Sequence, residues 1–429
     1  MNQITDKIVK ISLISMILLS LFLSWKIWTK PANRSLAEKD KDNTSELVQT
    51  KKMTDVYVPT KLFYHKDKEE LLYSNKETTI VGVHDKLRNF EFQSNKELDE
   101  KATREAMYTT NSFNLFFPKE LPISVYASIY GLKLNLPGNL EDFKFNRILY
   151  SFETEKVTFT NDSLKKGISF EVKGDSKRIQ DLVANEKKNN YYEVTLEPEN
   201  VSGIYYMKDD VKLKTYSYIV ATQSFTTFSK AFFNQSNDLY SNESSNVNLS
   251  NGEGESLTIQ SDTGEVNYFG KLKTTEKKQK NALYFDTFQY VENIGNAMGT
   301  LRYFDAKDGD VTYRNYIEGF PVFGKNMKGR LEVVVQNKNV FVRTNQEMIQ
   351  MPIPSDETIT LVSTEKLMSE LVNIGVELSR VEDVQIGYEW QTNSETKQAV
   401  DLVPTWYIKY DGIWFSHADL VSKLEKGGL

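Results

Sequence analysis

The chain opens with an apolar run from Ile8 to Trp28 that carries no charge between Ile11 and Trp25. As a helix rising ~1.5 Å per residue, such a run spans about 31 Å, the thickness of a bilayer's hydrocarbon core. Lys10 and Lys26 lie near its ends, where their stems can carry charge out to the headgroups. Trp25 and Trp28 are placed to act as interfacial anchors on the downstream side. Ser20 and Ser24 are four apart and share a helix face, which with Ser12 forms a candidate helix-contact face. Serines are equally tolerated in a membrane helix by bonding to their own backbone, so both readings stand. The run is long for a signal peptide and no small-x-small cleavage site precedes Pro31, so a retained single-pass anchor is expected.

Residues 1–7 then form a short cytoplasmic start, 8–28 the transmembrane helix, and 29–55, polar and charge-alternating, a stalk. Beyond the stalk the pattern alternates between strand and helix periods. Residues 56–190 read as one domain, with strand-like VYVPTKLFYH and TTIVGVH, a helix over Glu97–Tyr108, strands at Phe145–Phe152 and Ile168–Val172, and a helix over Ser176–Lys188 capped by Asp175 or Ser176. A central domain, 191–280, carries strands at Tyr192–Leu196, Ile204–Met207 and Tyr216–Ala221. An amphipathic helix with Phe225, Phe228, Ala231 and Phe232 follows, then a long loop over Asn234–Asn251 and a hairpin turning at Asp262-Thr263-Gly264. The Lys-rich stretch Lys271–Lys280 marks the next boundary.

The C-terminal domain, 281–429, has the clearest signals. A helix is expected through Phe285, Phe288, Val291 and Met298, and hairpins at Asp308-Gly309, around Asn337, and at Asp411-Gly412. Ser363 caps a helix burying Leu367, Leu371 and Ile374, and alternation at Ile386, Tyr388, Trp390 and at Trp406, Ile408, Tyr410 gives two strands. A strand running into a helix recurs in YIVATQSFTTFSKAFF and TLVSTEKLMSELVNI, which hints that the last two domains are alike. The expected fold class is α+β: a transmembrane helix followed by three mixed domains of antiparallel sheets and packed helices.

Composition sharpens this picture. Twenty-three Tyr and 24 Phe favour strands, where rings pack on a pleated surface. The net charge of −6 and the lack of a long Lys/Arg stripe in the soluble part argue against a nucleic-acid partner. With no cysteine, disulfides, thiolate nucleophiles and Cys-ligated metals are excluded. The lysines flanking the span do not decide orientation, but absence of thiols tips the bulk of the chain to the extracytoplasmic side of the cell membrane.

Candidate chemistry is sparse. His65, His84 and His417 stand in separate contexts without metal-ligand spacing, and no metal or other cofactor is expected. Ser363-x-x-Lys366 matches a nucleophile–base spacing of penicillin-binding enzymes, but the companion motifs are missing downstream and a helix cap explains it better. Asp305, Asp308 and Asp310 around Gly309 do not have EF-hand spacing, and a solvated turn accounts for them. No catalytic residue is assigned. The reading is a non-enzymatic protein; an extracytoplasmic cell-wall enzyme or a structural envelope protein are the alternatives.

The membrane helix ending LSLFLSWKIWTKPAN, the polar stalk, the opening DVYVPTKLFYH, and the segments EGFPVFG and DLVPTWYIKYDGIWF together resemble the YycH family over nearly the whole chain. That resemblance implies a membrane-anchored accessory protein that, with a YycI-like protein, binds the sensor kinase WalK of the WalK/WalR two-component system and modulates cell-wall homeostasis signalling in Gram-positive bacteria. It implies three external domains, the last two sharing a fold, and gives the Ser20/Ser24 face a use against kinase helices. It leaves the sign of regulation open.

Overall fold

Strand runs that are apolar at consecutive positions, rather than at alternate ones, signal sheets buried on both faces. The segment Lys61–His65 is such a run, with Leu62, Phe63, Tyr64 and His65 all buried. The computed structural model describes residues 16, 20, 50–184, 191–196, 205–234, 239–242, 246–273, 281–294, 300–393, 396 and 398–426. It divides into two units, residues 1–47 and 48–429. Within the first, Met16 and Ser20 are described, both helical and exposed. Ser12, Ser24, Trp25 and Trp28, the rest of the expected membrane helix and the stalk through residue 49 lie outside the described residues. Among the described residues no helix is long and apolar enough to cross a membrane.

In the second unit nine strands form one sheet. Its order is Glu91–Leu98, Gly167–Lys173, Lys156–Thr160, Lys144–Ser151, Ser112–Pro122, Lys61–His65, Leu71–Ser74, Tyr192–Leu196 and Tyr205–Met207. All neighbours are antiparallel. Because successive strand side chains point to opposite faces, Leu62 and Tyr64 enter one core and Phe63 another. The first core holds Ile80, Val83, Tyr126 and Ile179 from helices Glu77–Leu87, Ile123–Tyr130 and Ser176–Ala184. The second joins Phe63, Phe116 and Leu149 to Leu367, Ile386 and Trp406 from the C-terminal part of the chain.

A larger sheet of 14 strands mixes segments from 191–280 and 281–429: Glu265–Lys271 pairs with Asn339–Asn345, and Tyr216–Thr222 lies between Ala399–Tyr410 and Glu347–Ile353. It is antiparallel except where Phe320–Phe323 runs parallel beside Val381–Thr392. The long ribbon Val381–Thr392/Ala399–Tyr410 sets Ile386 against Trp406, as the alternation of buried positions requires. Asp308-Gly309 and Asp411-Gly412 adopt left-handed φ values of 49° and 92°, and of 48° and 77°, the geometry of a two-residue type I′ turn. The architecture is α+β, with antiparallel sheets and packed helices.

Several local expectations need correction. TTIVGVH is not a strand; it lies in the helix Glu77–Leu87, which buries Thr79, Ile80, Val83, His84 and Leu87. Those positions repeat at helical spacing, and packing on one face outweighs the strand preference of β-branched residues. VYVP is not a strand either: Met53–Val56 is a single helical turn that delivers Tyr57 into a cluster of tyrosines, stacked on Tyr303 and bonded to the Tyr313 hydroxyl at 2.8 Å. The Asn234–Asn251 segment contains strands Tyr240–Asn242 and Val247–Ser250, whose polar composition fits an edge with one solvated face. Phe225 and Ile374 are exposed at the ends of their helices, and Met298 lies outside the described residues.

Candidate functional site

The two sheets meet along a crevice of about 180 Å³. Its walls are made by irregular strands. Between Phe116 and Leu121 the register of Ser112–Pro122 shifts, so residues 117–120 stand opposite the single residue Asn146. Leu301–Lys307 shifts between Tyr303 and Asp305, and Val381–Thr392 between Val381 and Asp383. Phe117 to Glu120, Phe304 and Glu382, the residues displaced at these three places, all line the crevice. A bulge leaves its residue out of the ladder and re-aims the side chain. Three of the five register shifts among the described strands thus converge on one space.

Charges inside it are largely paired. Arg147, its side chain 1% exposed, donates from Nε to Asp162 at 2.8 Å, and Asn146 Nδ2 donates to the same carboxylate at 2.7 Å. The Arg147 guanidinium also lies 4.2 Å from the Phe116 ring centre, and Tyr205 stacks on Phe63 at 3.6 Å. On the opposite wall Lys409 Nζ sits 3.0 Å from Asp305 and 3.6 Å from Glu382. Burial works against that ammonium, but Asp305, Glu382 and Asp383 outweigh it and hold its pKa above the usual lysine value. Glu120 differs: among the described residues no ion pair or hydrogen bond reaches its carboxylate. Burial first, and Asp162 second, push its pKa above the ordinary carboxylate value.

The residues singled out in the sequence fall elsewhere. Ser363 is the cap of Thr364–Asn373: its Oγ accepts from the Lys366 backbone N–H, and its own N–H donates to Asp210 at 2.9 Å. The exposed Lys366 ammonium is bound by Asp210 at 2.9 Å, which raises its pKa, the opposite of what a lysine base requires. His84 Nε2 lies 2.9 Å from the Tyr126 hydroxyl, and burial drives its pKa down to about 3. Burial likewise brings His65 to about 4, so both rings are neutral near pH 7. His417 begins the last helix and faces Glu370 at 3.7 Å. Asp305 turns to Lys409, Asp308 occupies a turn, and Asp310 faces Glu332; among the described residues no His/Cys/Asp/Glu group is arranged to hold a metal. Of the proposed helix-contact face only Ser20 is described.

Sequence reasoning did not find the crevice, because its charged residues come from strands distant along the chain. One signal was present: FNRILYS and WYIKY each place a single cation among largely apolar or aromatic positions, and both cations are buried, Lys409 in the crevice lining and Arg147 bonded to Asp162, which lines it.

Comparisons with known proteins address the whole chain. Residues 6–191 match the family model described as YycH protein, N-terminal domain, and residues 202–423 match YycH protein, C-terminal domain. No curated protein matches significantly. The crystal structure of YycH from Bacillus subtilis superposes with a TM-score of 0.69 at 13% identity, covering 86% of this chain and 97% of that one, a likeness of fold. With both family models matched in tandem over most of its length, the chain belongs to the YycH family.

Proposed function

We propose that this chain is a non-enzymatic, membrane-anchored regulator that binds the sensor kinase WalK together with a YycI-like protein and biases its signalling state. Membership of a family of two-component regulators carries the reading, and the uncharged run Ile11–Trp25 supplies the anchor. In this reading residues 29–55 are a stalk, the three following segments stand outside the membrane, and the last two share a fold. The pairing of each capping serine, Ser224 and Ser363, with a preceding strand agrees with such a repeat. Coupling needs only differential affinity: a tenfold bias between two kinase states takes about 1.4 kcal/mol, within reach of one packed helix pair. The rival cell-wall enzyme draws no support from Ser363 and Lys366, since one is a helix cap and the other is ion-paired to Asp210.

The absence of cysteine makes the test direct. Single cysteines placed from Ile11 to Trp25 are crosslinked in membranes to a kinase carrying one matched cysteine in a membrane helix. Crosslinks recurring at helical period through Ser20 and Ser24 are expected. Normal expression with no periodic crosslink to any matched position would remove helix contact as the mechanism.

A further inference from the structure

A groove of about 420 Å³ opens on the face of the nine-stranded sheet that carries Leu149, beside the helix Glu100–Met107. The strand Glu91–Leu98 shapes one side of it. Its register shifts between Phe92 and Asn95, so that Gln93 and Ser94 stand opposite the single residue Glu171. Phe92 packs against the first core, whereas Lys96, four positions on, lines the groove on the other face. The extra residue has inverted the strand's alternation, as a bulge does. Seven of the 17 lining residues are serine or threonine, with Ser94 and Thr154 exposed and Thr158 and Ser169 buried beneath them. Ser94 donates to Glu171 at 2.8 Å, Thr109 to the Glu105 carbonyl at 3.0 Å, and Thr158 to Ser169 at 3.1 Å. A hydroxyl that has placed its proton within the protein still has lone pairs for a ligand's donors. Leu98, Ala102, Ala106 and Leu149 supply the apolar part of the lining. Lys96 and Lys156 stand against Glu105 and Glu171, so the charges of the lining cancel.

We propose that this groove binds a neutral saccharide, its ring C–H faces against the leucines and alanines and its hydroxyls against the serines and threonines. A pyranose carries hydroxyls around its rim and C–H bonds on its faces, the same division that the groove presents. Each sugar hydroxyl offers one donor and two acceptor sites. It can therefore meet a serine or threonine lone pair, a carboxylate or an ammonium with equal ease. A lining without net charge gives neither a simple anion nor a simple cation an advantage. The volume of about 420 Å³ falls within the range of small-ligand clefts, about 300–1,000 Å³. The inference does not rest on kinase binding. It gives the nine-stranded sheet a ligand of its own, away from the crevice between the sheets.

The test uses the full-length chain in micelles of a polyoxyethylene detergent, which carries no sugar. Maltose, cellobiose and N,N′-diacetylchitobiose are titrated by calorimetry, with glycylglycine as a zwitterionic control and inorganic phosphate as an anionic one. At least one disaccharide is expected to bind saturably, and neither control should. Ala106→Trp places a bulky ring in the groove from the helix wall and should abolish that binding. The double variant Ser94→Ala/Thr154→Ala removes two exposed hydroxyls and should weaken it at least fivefold. Absence of saturable binding by all three disaccharides would overturn the proposal. So would tighter binding of either control, or wild-type affinity in Ala106→Trp. The disaccharides and controls are compared on the unaltered protein, so the test stands even if a variant fails to fold.

Discussion

Arg147 in the nine-stranded sheet and Arg314 in the larger one are both buried in strand interiors, and their surroundings treat the charge in opposite ways. Arg147 has a carboxylate, Asp162, at 2.8 Å, with the Phe116 ring beneath the guanidinium. Arg314 has no carboxylate within ion-pairing distance among the described residues. It lies 4.0 Å from the ring centre of Phe323 and 4.8 Å from that of Phe304, donates once to the Val322 carbonyl, and leaves Nε without a partner. It also stands in register between Arg302 and Arg330 on the adjacent strands. Burial first, and Arg330 next, bring its pKa down to about 9. Like charges directly opposite each other destabilise a sheet. Here the outer members of the row are relieved elsewhere, Arg302 by Glu77 and the Asp55 carbonyl, Arg330 by Glu332. The smaller sheet pairs its buried charge; the larger one shields its charge with aromatic faces and tolerates an imbalance.

The largest expected effect lies on the paired side. Asp162→Ala leaves the fully buried Arg147 guanidinium without its anion. Removing one partner of a buried pair costs 3–5 kcal/mol, and because Asp162 is itself 46% exposed the lower end applies, about 3 kcal/mol. Arg147→Met should cost less, since the stranded Asp162 carboxylate is open to water. Denaturant midpoints followed by tryptophan fluorescence give both numbers. Equal losses in the two variants would mean that the pair is not organised around the buried guanidinium.

This contrast was only partly written in the sequence. Hairpins were legible where the chain carries residues that adopt positive φ, as at Asp308-Gly309 and Asp411-Gly412, because the turn chemistry is local. Helices with a cap and a 3.6-residue stripe were equally legible, and Thr364–Asn373 follows its Ser363 cap. The segment TTIVGVH was misread because its side chains favour strands and its helical burial depends on a sheet formed by other segments. The crevice was hidden for a related reason. Asn146 loses its ladder partner to a bulge four residues long in a neighbouring strand, and a register shift has no signature in the segment that it leaves unpaired. What the Arg row and the Asp162 pair share is a lone cation in an apolar strand, a signal that marks burial but does not name the partner.

On the imbalanced side, Asp310 is the sharper probe. It faces Glu332, and burial first, with that carboxylate next, raises its pKa from 3.8 to about 7. Between those values the folded chain holds more protons at this site than the unfolded chain does. The site therefore favours folding at low pH, and its contribution declines as pH rises through the window from 3.8 to about 7. Asp310→Asn removes the charge that is unfavourable above that window. Because the residue is only part-buried the gain is discounted to about 1 kcal/mol at pH 8, and it should close as the pH falls below 4. Unfolding midpoints of both proteins at pH 8 and pH 4 check the sign, and a variant less stable than the parent at pH 8 would contradict it.

Arg314→Met carries the smallest expected change and the most direct comparison with Arg147. Methionine is about two atoms shorter and matches only the aliphatic stem, and its polarizable sulfur makes favourable contact with the Phe304 and Phe323 rings. The substitution gives up a cation–π attraction of about 2 kcal/mol for a desolvated pair. It also removes the cost of burying a charge that has no carboxylate, a cost that apolar replacement of buried ions commonly recovers. These terms oppose each other and are of similar size, so the stability of Arg314→Met should stay within about 1 kcal/mol of the parent. A loss matching that of Asp162→Ala would show that the aromatic faces hold Arg314 as firmly as a carboxylate holds Arg147. The two sheets would then differ in the chemistry that surrounds the buried charge and not in the strength with which they keep it.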